Sequence, residues 1–153
     1  MKVKQTIDAV TVFQTPVPFV ALFYGVLLIW TAVTLPFIYL KFRQGGFRGD
    51  WLYTVMIGFF YFYTWFWSMG LFTSISIDPE GRVVLKSFRR RVEVSAKQIR
   101  AIEGSRFSGG FGFIRLKLPR ESGYLFCYRR NKQLAGILEG IRKMNPLVKT
   151  VRI

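Results

Sequence analysis

The chain has 153 residues, 51% of them hydrophobic and 18% aromatic, yet it carries a formal charge of +15, a combination at odds with an ordinary soluble domain. A single cysteine, Cys127, excludes an intrachain disulfide framework. The absence of histidine removes the commonest metal ligand and the commonest general base.

The conflict resolves when the chain is divided after Phe72. Residues 1–72 carry five Lys/Arg against two Asp/Glu, and residues 73–153 carry eighteen against six, a net of +12. Such a charge points to a polyanionic neighbour, an anionic lipid surface or nucleic acid, or else serves only solubility.

Residues 1–15 read as a weakly basic lead with Lys2, Lys4 and Asp8. Residues 16–40, PVPFVALFYGVLLIWTAVTLPFIYL, hold no charge. At a rise of about 1.5 Å per residue this run is long enough to cross a hydrocarbon core of about 30 Å. Pro16 and Pro18 suit a first helical turn, whereas Pro36 predicts a kink or an early stop. The run is too long for the apolar region of a cleaved signal peptide, and no small-residue cleavage site follows it. The segment 41–50, KFRQGGFRGD, reads as a turn between antiparallel helices. Residues 51–72, WLYTVMIGFFYFYTWFWSMGLF, are uncharged over 22 positions, half of them aromatic, and read as a second span.

The two spans predict a transmembrane hairpin with both chain ends on one side. Lys41, Arg43 and Arg48 in the turn are outnumbered by Lys2, Lys4, Arg82, Lys86, Arg89 and Arg90 near the other ends, which favours cytoplasmic termini. Ala21 and Gly25 form a small-xxx-small pair that permits close helix approach. Phe59, Tyr61, Tyr63, Trp65 and Trp67 lie deep in the second span, away from the interfaces where Tyr and Trp gather, and are expected to face another helix.

Beyond Phe72 the hydrophobic period changes from helical to alternating. Residues 73–77 and 82–88 read as strands joined by the turn Asp78-Pro79-Glu80-Gly81. Strands are predicted at 91–95, 99–103, 113–118 and 124–129, with a Gly-rich loop at 104–112. Asn131 reads as the N-cap of a helix over 132–144 whose Leu134, Ile137, Leu138 and Ile141 share one face. Residues 147–153 read as an edge strand or as disorder. The expected architecture is an α+β membrane protein, with a small antiparallel β-barrel or sandwich closed by one C-terminal helix.

The run Gln98-Ile99-Arg100-Ala101-Ile102-Glu103, after a strand–turn–strand and a third strand, resembles bacterial pleckstrin-homology-like domains. The Gly-rich break, the two later strands and the single C-terminal helix continue the likeness. A helical hairpin before such a domain is similar to a group of small bacterial membrane proteins, and the layout is similar also to the photosystem I assembly factor family. The resemblance implies a partly open barrel that binds proteins or lipid headgroups and catalyses nothing. Relatives that bind phosphoinositides use basic residues around the first strand pair, whereas that loop is acidic here.

The densest charge is Arg89-Arg90-Arg91, flanked by Lys86, Lys97 and Arg100. If the triplet caps a hairpin, its guanidinium groups project together, in a geometry that matches phosphate oxygens. The stretch Ser108-Gly109-Gly110-Phe111-Gly112 lacks the Gly-Lys-Ser/Thr ending of a phosphate loop. Tyr124, Phe126 and Tyr128 beside Phe113, Arg115 and Lys117 could stack bases, but Leu125 and Cys127 on the opposite face make barrel core the simpler reading. Glu93 and Glu103 read as ion-pair partners and Cys127 as a buried apolar residue. The sequence therefore predicts a membrane-anchored adaptor at the cytoplasmic membrane, not an enzyme, without metal or cofactor and without nucleic acid. Its partners are anionic lipid and another membrane protein, with self-association left open. The alternative is a subunit or assembly factor of a membrane complex, held mainly through the aromatic hairpin.

Overall fold

The computed structural model describes residues 10–44, 51–104, 111–128 and 131–151. Of the turn expected at 41–50, residues 41–43 belong instead to the first helix and residues 45–50 lie outside the described residues, as do most of the Gly-rich loop (105–110), Arg129 and the first nine residues. The chain divides into two compact units. One is Pro16–Ser68, and the other joins the residues before Pro16 to those from Met69 onward.

The first unit consists of α1 (Val17–Arg43) and α2 (Trp51–Met69). Pro18 sits in the first turn of α1, where a missing N–H leaves no bond unmade. The helix does not stop at Pro36 but continues to Arg43, where Lys41 and Arg43 occupy the carbonyl end. One lost backbone bond is a local defect in a helix of 27 residues. Among the described residues only α1 combines spanning length with sufficient apolarity, at a mean hydropathy of 2.0. The two-span expectation therefore reduces to one helix on that criterion, because Tyr, Trp, Thr and Ser lower the hydropathy of α2. The second run also ends earlier than 72, as α2 stops at Met69 and Phe72 opens a strand.

The contacts between the helices descend in register, Tyr24 with Ser68, Thr31 with Trp65 and Thr34 with Tyr61, which makes the pair antiparallel. Tyr24 donates to the Ser68 carbonyl at 2.7 Å, and the Trp65 indole N–H donates to Thr31 Oγ1 at 3.1 Å. Tyr61 meets the Thr34 hydroxyl and stacks on Trp30 with ring centroids 4.7 Å apart. Thr31 and Thr34 pass their own protons to the carbonyls of Leu27 and Trp30. The hydroxyls of Tyr24, Thr31, Thr34 and Tyr61 are thus all satisfied inside the pair.

The second unit is a mixed sheet with one helix. Its elements are β1 (Thr11–Gln14), β2 (Phe72–Ile77), β3 (Arg82–Ser87), β4 (Arg91–Ser95), a 3-10 turn (Ala96–Gln98), β5 (Ala101–Gly104), β6 (Phe111–Lys117), β7 (Ser122–Tyr128), α3 (Lys132–Met144) and β8 (Lys149–Val151). The strand order is β4-β3-β2-β7-β6-β5-β8, with β1 also paired to β2. The sheet is not purely antiparallel: β2 meets β7 in parallel at Phe72 and Leu125, and β8 runs parallel to β5.

The lead is not a separate segment. Its strand β1 pairs antiparallel with β2, Thr11 opposite Ile77 and Gln14 opposite Ser74, and Phe13 is fully buried in the β-core. The helical unit is therefore inserted between two paired strands of the β-unit. The junction is fixed by the Thr15 N–H on the Thr73 carbonyl at 2.8 Å and by the Thr15 hydroxyl on the Phe126 carbonyl.

The core gathers Phe13, Phe72, Ile75, Leu85, Ile102, Leu116 and Leu125 against the apolar face of α3. That face is Leu134, Ile137, Leu138 and Ile141, all buried as their spacing requires, and Asn131 Oδ1 caps the helix by accepting from the Gln133 and Leu134 N–H groups. Gly123 lies so close to Phe72 that a Cβ there would fall 2.7 Å from the ring. Buried Asn145 ends α3 and holds the 3-10 turn, its amide donating to the carbonyls of Ala96, Lys97 and Ile99 at 3.2, 3.3 and 2.9 Å.

Candidate functional site

The arginine triplet follows β3, where the Ser87 N–H bonds the Arg90 carbonyl at 2.8 Å and leaves Phe88 and Arg89 as a two-residue tip. Phe88 is 66% exposed, and Arg89 is exposed beside it. Phe72 lies opposite Ser87, so this tip stands at the end of the β2–β3–β4 meander where the chain returns from the helical insert. The outgoing junction, at Thr15, is hydrogen-bonded to Thr73 at the same end.

The three guanidinium groups do not project together. Arg90 turns inward, over the Phe72 ring at 5.1 Å, and pairs with Glu121 in the β6–β7 turn. Its Nε is buried without a hydrogen-bond partner among the described residues. Arg91 pairs with Glu93 at 2.6 Å on the outer face of β4, across from exposed Lys86. Arg90 thus links the β3–β4 turn to the β6–β7 turn, and Arg89 remains the member of the triplet at the tip. Arg120, exposed beside Glu121, is a further cation on the β6–β7 turn. The sequence reading missed it, since a lone arginine in a turn carries no signal.

Lys97 and Arg100 are placed elsewhere. Lys97 lies on the 3-10 turn held by Asn145, and the Arg100 carbonyl accepts from the Lys149 N–H at 3.2 Å. The six cations proposed from sequence therefore divide into two groups, one around the β3–β4 tip and one beside the C-terminal end of α3.

The carboxylates act as ion-pair partners. Glu93 takes Arg91, while Glu103 takes Lys117 at 2.6 Å and Arg115 at 3.6 Å. The Lys117 hydrogen bond, helped by the charges of Lys117 and Arg115, holds the Glu103 carboxyl below its ordinary range against a smaller opposing effect of burial. Cys127 is buried with Leu125 on the inner face of β7. On the outer face Phe113 packs on Phe126 at 5.2 Å, and Arg115 lies over Tyr124 at 5.8 Å. The base-stacking ladder is thereby occupied by the protein's own side chains at Tyr124 and Phe126; the Tyr128 ring lies outside the described residues.

The contact residues proposed on the helices also divide. Tyr61 and Trp65 face α1, whereas Phe59 and Tyr63 stack on each other at 6.0 Å and stay exposed. Trp67 is partly exposed near the end of α2. Ala21 is exposed, and a Cβ on Gly25 would meet nothing within 4 Å, so this pair does not bring α1 and α2 together. Large side chains join the helices instead.

Comparison with models of known families, with curated proteins and with solved structures finds no match to this chain.

Proposed function

We propose that the protein is a non-catalytic membrane adaptor in which α1 and α2 cross the bilayer as a hairpin and the β-unit, a pleckstrin-homology-like module, stands at the cytoplasmic face of the membrane. The observation that carries this reading is the insertion of the helix pair between β1 and β2, which ties the β-unit to the apolar segment through two chain connections at one end. With 19 residues, α2 is about 28 Å long, close to the hydrocarbon thickness. The bonded hydroxyls of Tyr61, Thr64 and Ser68 and the Trp65 indole offset its lower apolarity. The tip of Phe88 and Arg89 shares its end of the meander with both junctions, and an exposed ring beside a guanidinium suits the headgroup layer of an anionic leaflet. Each cation held there contributes on the order of 1 kcal/mol, enough to orient a domain that the helices already anchor.

The test labels a Phe88→Cys chain, on a Cys127→Ala background, with an environment-sensitive fluorophore in nanodiscs of phosphatidylcholine alone or mixed with phosphatidylglycerol. Adaptor orientation by the leaflet requires a blue shift that grows with the anionic lipid and shrinks in Arg89→Glu. An unchanged spectrum in both lipids would sink it.

A second reading, a subunit or assembly factor of a larger membrane complex, is favoured by the outward rings of α2. Phe59 stacks on Tyr63, and Phe62 on Phe66 at 5.7 Å, all exposed in this chain. Substituting Phe59 and Tyr63 with leucine keeps the helix apolar while removing the stack. Loss of a co-purifying membrane partner in that variant supports the second reading, and its retention opposes it.

A further inference from the structure

In α2, Tyr61 bonds Thr34 and Trp65 donates to Thr31, while the Thr64 and Ser68 hydroxyls donate to the carbonyls of Phe60 and Trp65 at 2.8 and 2.9 Å. Tyr63 differs from these neighbours. It is 56% exposed, and its hydroxyl has no hydrogen-bond partner among the described residues. Its ring stacks on Phe59, four positions earlier, with centroids 6.0 Å apart, so it leans toward the helix N-terminus as helical side chains do. Phe59 lies near the midpoint of the 19-residue helix. The hydroxyl is therefore drawn toward the middle of α2 and away from both of its ends. Phe62 and Phe66, which stack on each other, are 67% and 42% exposed.

We propose that Tyr63 is the polar centre of a contact between two copies of this chain, α2 against α2 within the bilayer. The proposal rests on the reading that α2 crosses the membrane, and not on the choice between adaptor and complex subunit. In hydrocarbon an unbonded hydroxyl is costly, and at mid-helix neither water nor a headgroup reaches it. Lipid tails cover the rings but offer no acceptor, so the hydroxyl calls for protein. Two chains inserted in the same sense are related by a two-fold axis along the membrane normal, which sets identical residues of α2 at one depth. A phenol both donates and accepts, so Tyr63 of one copy serves Tyr63 of the other. A different helix would need an acceptor at that depth, whereas a second copy brings one by symmetry. The rings fit the same partner. Phe59, Phe62 and Phe66 follow the three–four spacing of left-handed helix pairs, and α2 carries no charge to oppose a like-on-like contact.

Full-length Phe88→Cys chains on the Cys127→Ala background, labelled in separate batches with donor or acceptor fluorophore, are mixed in phosphatidylcholine vesicles. Energy transfer is followed as lipid is added. The expected transfer stays above the value for random proximity. Tyr63→Phe, which keeps the ring and removes the hydroxyl, should weaken the association about threefold or more. Tyr53→Phe, near the end of α2, should leave it unchanged. Circular dichroism establishes that each variant keeps its helices. Quenching of the tryptophans by phosphatidylcholine brominated on its acyl chains reports separately that the helices lie in hydrocarbon. Quenching without transfer above the random value overturns the self-contact and leaves the bilayer reading standing, whereas absence of quenching overturns both. Equal transfer in wild type and Tyr63→Phe, or an equal loss in Tyr53→Phe, overturns the part given to the Tyr63 hydroxyl and the proposal with it.

Discussion

Arg90 shows why a run of like charges is a poor map of a surface. It lies mid-triplet, yet its guanidinium rests over Phe72 and pairs with Glu121, with both side chains only about one third exposed. Removing one partner leaves the other half-buried and uncompensated. Glu121→Ala should therefore destabilise the β-unit by about 1–2 kcal/mol, between the values for exposed and buried pairs. Adding Arg90→Ala should cost less than the sum of the two single changes, as measured by denaturation in micelles. Nothing in Arg89-Arg90-Arg91 tells which residue turns inward, because its partner lies 31 positions downstream. Glu103 supports a pH prediction. Its carboxyl is held low by the Lys117 bond and then by charge, so the folded state binds its proton less readily than the unfolded chain. Its contribution is present above the ordinary carboxylate range and is lost as pH falls through the folded pKa. The melting temperature of wild type should exceed that of Glu103→Gln most near neutrality, and the gap should close as pH falls through and below the ordinary carboxylate range. A gap that is constant with pH would mean that packing, not charge, is what Glu103 supplies.

At the scale of elements, legibility followed the length and regularity of the hydrophobic pattern. Helix α3 was readable to its cap because four apolar residues fall on one stripe and Asn131 precedes them. Strand β1 was not, because four residues give a single buried side chain, Phe13, and the strand abuts a longer apolar run that dominates any reading by composition. Its partner β2 lies beyond the whole helical insert, and no local signal spans that distance. Pattern could not foresee the parallel pairings of β2 with β7 and of β5 with β8 either, since alternation is the same in both directions. In the helix pair, apolarity announced the helices but not their facing residues, which are set by the few polar atoms. Trp65 donates to Thr31, which passes its own proton back to Leu27. Trp65→Phe keeps the ring and removes the donor. It should weaken the pair by about 0.6 kcal/mol, the average for such bonds between helices in bilayers. A disulfide-trapping rate between cysteines placed on α1 and α2 reads the loss, and Phe59→Leu, on the exposed side, serves as the unaffected control.

For the whole molecule, the consequence of the insertion is that sequence order and folding unit do not coincide. Residues 73–153 look like a complete domain by charge and by strand pattern, but they lack β1, Leu71 and Phe72. Phe13 and Phe72 are both fully buried, and losing a buried Phe costs about 3–5 kcal/mol, comparable to the stability of a small domain. Residues 73–151 produced alone should therefore lack the dispersed amide spectrum of a packed sheet. Joining Thr15 directly to Met69 through a short Gly-Ser linker removes α1 and α2 and keeps every strand. The Thr15 N–H already lies on the Thr73 carbonyl, so a few residues close the gap without strain. This shortened chain should be water-soluble and should melt cooperatively, and Phe13→Ala within it should lower stability by several kcal/mol. Should the 73–151 fragment fold as well as the joined chain, β1 would be an accessory strand rather than part of the folding unit. If only the joined chain folds, β1 is an integral strand, and the β-unit closes only when the two segments that flank the helical insert are brought together.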